Sequence, residues 1–479
     1  MIELSLGEIA EIVGGRLAGA DPATRVTGSV EFDSRAVGAG GLFLALPGER
    51  VDGHDFVEAA VAAGAVAAIV SRPVAAPSIE VADGYAALAA LAAAVLRRLP
   101  DTTVIGVTGS SGKTSTKDVL AQLLARLGPT VAPPGSFNNE LGHPYTVLRA
   151  TPQTRFLVLE KSARGIGHIR YLTEIAPPRI GVVLNVGSAH LGEFGSREAI
   201  AQAKGELVEA LPADGVAVLN ADDPLVLGMA ARTAARVVTV GESAAADVRA
   251  GDVTLDELGR ARFTLHARGE SGPVALRLVG AHHVGNVLAA AAVALECGLP
   301  FAELTAALAE VTPASRWRME VTERADGVLV INDAYNANPE SVRAALKALA
   351  SVARARKASG GRSFAVLGHM AELGADGPAE HDAIGRLAVR LDVSRVVAVG
   401  EAARPIQHGA ALEGSWDGES SWVPDVDAAI ALLRAELRPG DVVLVKASRA
   451  ARLERVALAI ADDTESAPHG PQQEGDGAR

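Results

Sequence analysis

The chain has 479 residues, of which 49% are hydrophobic and 21% charged, and its formal net charge is −12. That length exceeds a single hydrophobic core and fits about two to four domains, and the apolar content excludes a largely disordered chain. No dense basic stretch is present, which disfavours a nucleic-acid binder working through phosphate contacts, and a lone cysteine, Cys297, excludes an intrachain disulfide and any cysteine-rich metal site.

From the N-terminus, no basic segment precedes a long apolar run, and the alanine-rich stretches fall short of a membrane span. A soluble, cytoplasmic protein is expected. Leu6–Val13 reads as a helix, Thr27–Phe32 and Leu42–Ala45 as strands, and His54–Ala63 as a helix leading into the strand Ala67–Val70. Leu88–Leu96 reads as a linking helix that Pro100 ends. A second unit opens at Thr103 with a buried strand, a glycine-rich turn and a helix that Gly128 stops. Core strands follow at Phe156–Leu159, Ile180–Leu184 and Val216–Leu219, with helices between, which predicts a mostly parallel sheet. Val274–Leu278 reads as a late strand before a helix over His283–Glu296.

A third unit starts near Thr312–Arg318. Its strands are Leu329–Ile331, Ser363–Leu367, Val396–Val399 and Val442–Val445, and its helices Ser341–Ala350, His381–Leu391 and Val426–Leu437. That alternation predicts a Rossmann-like α/β domain. The last stretch, Asp462–Arg479, carries five acids against one arginine and reads as a disordered tail. The expected division is an N-terminal domain over 1–98, a central domain over 99–314, a C-terminal domain over 315–459 and an acidic tail over 460–479.

Seven lysines stand against 38 arginines. Where arginine replaces lysine wherever a solvated charge suffices, each retained lysine marks a place that needs a compact ammonium or a losable proton. One of them, Lys113, lies in Thr108–Gly109–Ser110–Ser111–Gly112–Lys113–Thr114–Ser115, between an apolar strand and a helix. Glycines there let backbone N–H groups curl around phosphate oxygens at a helix N-terminus. Lys113 is placed to reach the β- and γ-phosphates of ATP and the Thr114 hydroxyl to ligate Mg²⁺. The strict phosphate-loop pattern needs glycine where Val107 stands, which counts against ordinary GTPases and transport ATPases.

The form TGSSGKT resembles the ATP loop of the Mur ligase family, and further motifs of that family follow in order over residues 2–458. They are Asp33–Ser34–Arg35 with GGLFLALPGERVDGHDF, then SFNNELG at Ser136–Gly142, and NDAYNANP at Asn332–Pro339. The resemblance implies an α/β, three-domain architecture: a small N-terminal α/β domain holding the UDP end of a nucleotide-sugar substrate, a central ATPase-like parallel-sheet domain and a C-terminal Rossmann-like domain. It also implies ATP-driven amide formation through an acyl phosphate. NDAYNANP favours the branch that joins D-alanyl-D-alanine to UDP-N-acetylmuramoyl-tripeptide over the branch that extends the dipeptide precursor. A folylpolyglutamate-type ligase typically lacks the DSR block, and an ATP-binding homologue that has lost catalysis is the remaining alternative.

Residue by residue, the resemblance places Ser34, Arg35, Asn138 and Asn139 at the nucleotide-sugar substrate. Gly109, Ser110, Ser111, Gly112, Lys113, Thr114, Ser115, Asn286, Arg318, Asp333 and Asn336 fall at ATP. Thr114, Glu160, His190 and Lys204 fall around two Mg²⁺ ions, with Lys204 carbamylated. Lys113, Lys204, His190, Glu160 and Arg318 are the expected catalytic set, in a protein expected to be monomeric. Acidic residues such as Glu160, at the C-terminal end of a core strand, sit where α/β proteins place ligands. One departure stands out: the family usually runs Met or Leu, then Gly, after Glu160, and this chain has Lys161 and Ser162. Side chains alternate along a strand, so Lys161 is expected to point away from Glu160 into packing, where an unpartnered ammonium is costly.

Overall fold

The computed structural model describes residues 1–48, 51–187, 191–414 and 418–462. The chain divides into two compact units, one spanning residues 1–256, 260–315 and 372–374, the other residues 257–259, 316–371 and 375–479.

In the first unit a five-stranded sheet runs Arg16–Ala18, Ser78–Glu80, Ala65–Val70, Gly41–Leu44, Val30–Glu31. A nine-stranded sheet runs Glu270–Val279, Arg260–Ala267, Val248–Leu255, Arg236–Gly241, Val216–Asn220, Ile180–Val183, Thr103–Thr108, Phe156–Glu160, Thr130–Val131. Its strands pair in parallel from Thr130–Val131 as far as Val248–Leu255, and the last two pairings are antiparallel. Both faces of the parallel part are covered, so its strands read as continuous apolar runs. The strand Thr103–Thr108 lies between Phe156–Glu160 and Ile180–Val183, and the chain reverses its winding there. Ligands bind at such a switch point in open α/β sheets, outside the carboxyl ends of the strands.

The helix read as a link is longer and does more. It spans Gly84–Arg97, capped by Asp83, whose carboxylate accepts the Tyr85 backbone N–H at 2.8 Å. Its Leu88, Leu91, Val95 and Leu96 share one buried cluster with Leu42 and Ile69 of the five-stranded sheet and with Leu157 and Leu159 of the nine-stranded one. The two sheets of this unit are therefore joined by common apolar packing rather than by a tether. Three strands escaped the sequence reading: Arg236–Gly241, Val248–Leu255 and Arg260–Ala267.

The second unit holds a six-stranded sheet in the order Glu320–Glu323, Leu329–Asn332, Val442–Lys446, Ser363–Leu367, Arg395–Val399, Ser420–Val423. Only the first pairing is antiparallel. The helix Arg404–Glu413 and the strand Ser420–Val423 were not read from the sequence. Among the described residues no helix is long and apolar enough to cross a membrane.

Candidate active site

The strand Thr103–Thr108 runs into the glycine-rich turn, and the helix Lys113–Leu124 starts from it. Gly112, just before that helix, has φ +82°, a left-handed conformation that costs any side-chain-bearing residue. A Cβ there would also lie 2.3 Å from Asn286 Oδ1. Asn286, buried on the helix His283–Glu296, is thus packed against the loop's own backbone, while His282 at the start of that helix is exposed. The Lys113 ammonium donates to the Gly109 carbonyl at 2.7 Å.

A residue the sequence reading passed over holds the loop's outer edge. Asn185 follows the strand Ile180–Val183 closely; its carbonyl accepts the Ser110 N–H at 3.1 Å and its side chain accepts the Ser111 N–H at 2.9 Å. Its amide returns a bond to the Ser111 carbonyl at 3.1 Å. Its position at the carboxyl end of a buried strand was the available signal.

Glu160 ends its strand fully buried, and its Oε2 accepts from the Thr114 hydroxyl at 3.3 Å and the Asn138 amide at 3.2 Å. The structure therefore brings together the metal-ligand candidate Glu160, the helix-start threonine and the Ser136–Gly142 loop. Asn139 caps the next short helix, accepting the Gly142 N–H at 2.9 Å. Lys204, on the helix Arg197–Glu209, is 4% exposed, and burial, with the charge of Lys113, pushes its amine well below the ordinary lysine range. Ser115 lies in the first turn of the loop helix. His190 falls outside the described residues. Among those described, no three His, Cys, Asp or Glu side chains form a metal-binding group. The Thr114 hydroxyl and the Glu160 carboxylate are nonetheless hard oxygen donors side by side, a set that fits Mg²⁺.

The departure at Lys161–Ser162 is locally compensated. Lys161 is fully buried, as alternation predicts, but not unpartnered: its Nζ lies 2.7 Å from His143 Nε2, 3.0 Å from the Leu172 carbonyl and 3.3 Å from that of Ala176. Burial pushes both His143 and Lys161 well below their ordinary ranges. Ser162 has no left-handed φ, and its N–H and hydroxyl both reach the Asn138 carbonyl, at 3.1 and 3.2 Å. A glycine is not required there.

Nearer the N-terminus, Arg35 forms a two-pronged pair with Asp33 at 2.9 and 2.7 Å, which holds the Asp33 carboxyl down at about 2. Ser34 lies between them on the same loop. The adjacent Glu31 accepts a hydrogen bond from Tyr145 at 2.8 Å, and the rings of Phe32, Phe137 and Tyr145 pack edge-on or tilted at 5.0–6.3 Å. The DSR loop and the Ser136–Gly142 loop, read as separate motifs, are thereby fastened to each other.

The second unit carries Arg318, Asp333 and Asn336. Arg318 lies between Trp317 and Met319, both left-handed at φ 59° and 51°, and its guanidinium stacks 4.3 Å from the Tyr335 ring centre. Such backbone strain persists where a side chain must be presented in a set direction. The Asp333 carboxylate accepts the Met319 N–H at 3.1 Å and pairs at 2.5 Å with the buried Lys446, which also donates to the Asn336 carbonyl at 2.9 Å. Ser448, two residues on, accepts the Ala371 N–H at 2.9 Å and so joins the loops that follow two adjacent strands.

Three domain models match the chain: "Mur ligase family, catalytic domain" over residues 27–100, "Mur ligase middle domain" over 107–294 and "Mur ligase, glutamate ligase domain" over 317–449. The UDP-N-acetylmuramoyl-tripeptide--D-alanyl-D-alanine ligase of Mycobacterium tuberculosis is 59% identical over 505 residues, covering 97% of this chain and 99% of its own. A crystal structure of MurF from Acinetobacter baumannii is 32% identical and superposes with a TM-score of 0.85, covering 96% of this chain and 99% of that one. MurF ligase from Thermotoga maritima, solved in complex with ADP, is 32% identical with a TM-score of 0.78, covering 91% and 97%.

Proposed function

The chain belongs to the Mur ligase family, and from that premise we propose an ATP-dependent ligase that joins D-alanyl-D-alanine to UDP-N-acetylmuramoyl-tripeptide, forming the pentapeptide precursor of peptidoglycan. The observation that carries this reading is identity of 59% along 97% of the chain to a ligase named for that reaction. The fold agrees in each of its three sheets.

The terminal carboxylate of the tripeptide attacks the γ-phosphate of ATP in line, giving an acyl phosphate and ADP. The amine of D-alanyl-D-alanine then attacks the acyl carbon, and the tetrahedral adduct expels phosphate. Lys113, at the head of the loop helix, neutralises charge on the phosphoryl group in transfer, and the loop around Gly109–Ser115 and Asn286 seats the nucleotide. Ser34 and Arg35 hold the nucleotide-sugar end, with Asn138 and Asn139 nearer the reacting carboxylate. Arg318, Asp333 and Asn336 are the second unit's contribution to ATP.

Mg²⁺, held by Thr114 and Glu160 together with His190 and a carbamylated Lys204, supplies screening between the two anions that must meet. Carbamylation needs an uncharged amine, and the burial that lowers Lys204 supports it. The domain division at 98, 314 and 459 and action as a cytoplasmic monomer complete the reading.

The test is phosphate release by the purified protein with ATP, Mg²⁺ and UDP-N-acetylmuramoyl-tripeptide, with and without D-alanyl-D-alanine. Release that requires the dipeptide, with a product heavier by that dipeptide, is expected. ATP binding without release would overturn the reading.

A further inference from the structure

The helix His168–Ile175 is gripped at both ends by buried charges of opposite sign. At its start, Glu206, 1% exposed, accepts the Gly167 N–H at 2.5 Å and the Arg170 N–H at 2.9 Å. At its end, Lys161, fully buried, donates to the carbonyls of Leu172 and Ala176. These are the groups a helix leaves without partners of its own, and each charge has the sign that the helix dipole favours. An eight-residue helix between two loops otherwise has little to fix its placement.

Both charges are sequence neighbours of candidate metal ligands. Lys161 directly follows Glu160, and Glu206 lies two residues beyond Lys204 on one helix. Lys161 also reaches the other parts of the site. Its backbone N–H donates to the Val107 carbonyl at 2.9 Å, and its Cε lies 3.1 Å from where a Cβ on Gly106 would stand, so its stem crosses the strand that feeds the ATP loop. Its Nζ meets His143, in the short helix that Asn139 caps. A forked guanidinium does not suit this crowded point, where one compact ammonium meets acceptors from two elements.

We infer that Lys161 and Glu206 are paired positioning residues: by clamping the helix His168–Ile175 between them they fix the relative placement of Glu160 and Lys204 and couple it to the ATP-loop strand and the Asn138–Asn139 loop. Neither touches substrate. The inference rests on the ligase reading for its kinetic consequence, but not for its metal-binding consequence.

The experiment compares Lys161→Met, Glu206→Gln and the double variant in the full chain by two readouts. The first is Mn²⁺ affinity in the presence of ADP, followed by electron paramagnetic resonance; the second is the KM-against-kcat split of ligation at saturating Mg²⁺. Residues that orient metal ligands typically cost about 10–100-fold in affinity or activity when lost, and a loss in that range is expected for each single variant, with KM for ATP within about twofold of the parent. The double variant is expected to be no worse than the weaker single one, because both changes release the same helix. Parent-like Mn²⁺ affinity in either single variant, or losses that multiply in the double, would overturn the inference. A purely structural role would lower thermal stability and active fraction yet leave the Mn²⁺ affinity of folded protein unchanged, and Lys161→Gln, which keeps one donor, serves where Lys161→Met does not fold. If the parent binds Mn²⁺ with ADP but ligates nothing, the functional reading fails while the clamp is still decided by the Mn²⁺ titrations.

Discussion

Asn286 Oδ1 occupies the space where a Cβ on Gly112 would be, 2.3 Å away. The residue at the mouth of the loop helix must therefore be glycine twice over, for its φ of +82° and for the asparagine against it. Gly112→Ala carries about 1–2 kcal/mol of left-handed strain before the clash is counted. Because Asn286 must move to relieve the clash, ATP affinity measured by calorimetry is expected to fall at least about tenfold, a loss of roughly 1.4 kcal/mol. An ATP affinity equal to that of the parent would show that the loop and Asn286 are not coupled.

The bond from Tyr145 to Glu31 ties the DSR loop to the Ser136–Gly142 loop, and it has a titration signature. Burial first, then the hydrogen bond to Glu31, raises the Tyr145 phenol from 10.0 to about 12. In the unfolded chain the proton leaves near the ordinary value while the fold still holds it. The contribution is thus complete below pH 10 and is lost as pH rises toward 12. Ultraviolet titration of the four tyrosines is expected to show one late component that Tyr145→Phe removes. Three tyrosines titrating alike, with the fourth unchanged by that substitution, would contradict it.

Asp118 and Lys117 form a buried pair at 2.5 Å on the loop helix, and Asp118 also accepts the Ser315 N–H at 3.0 Å and its hydroxyl at 3.1 Å. With Gln122 bonded both ways to Thr312, this holds the segment 312–315 along that helix. Asp118→Ala strands the Lys117 ammonium in the interior and is expected to cost about 3–5 kcal/mol in urea unfolding. Asp118→Asn, which keeps acceptor capacity toward Ser315, should cost less. Equal midpoints for the two variants would mean that the charge pair, not the hold on Ser315, carries the stability.

What the sequence made legible followed from local pattern. The phosphate loop needs only contiguous residues, and the apolar runs of the parallel strands need only burial on both faces. The scarcity of lysine was informative too: Lys117, Lys161, Lys204 and Lys446 are all buried, each where a compact ammonium or a neutral amine is set among other groups. What stayed hidden lies in pairings between distant residues. Lys161 reads as an unpartnered charge because His143 and the carbonyls of Leu172 and Ala176 come together only in the fold. The strand Val248–Leu255 was obscured by the register shift between Gly251 and Thr254 and by Asp252 at φ 54°, which break the alternation. Arg260–Ala267 does alternate, with Ala261, Phe263, Leu265 and Ala267 buried, and was readable.

The carbamate assigned to Lys204 makes the last prediction. An amine attacks CO₂ only when uncharged, and a surface lysine near neutrality is almost wholly protonated. Burial, reinforced by the charge of Lys113, lowers the Lys204 amine well below that range, so a neutral fraction exists where ordinary lysines have none. Protein equilibrated with ¹³C-bicarbonate at neutral pH is therefore expected to show one carbamate carbon resonance by NMR. The sign is fixed: acidification protonates the amine and drives off CO₂, so the resonance and ligase activity should fade together as pH falls. Lys204→Arg keeps the positive charge but cannot form the carbamate, and should lose the resonance with at least about 100-fold of kcat, the upper end for losing a group that organises a metal. Full activity in Lys204→Arg would sink the assignment, because an arginine at this buried place supplies a cation where the chemistry calls for an oxygen-donor anion.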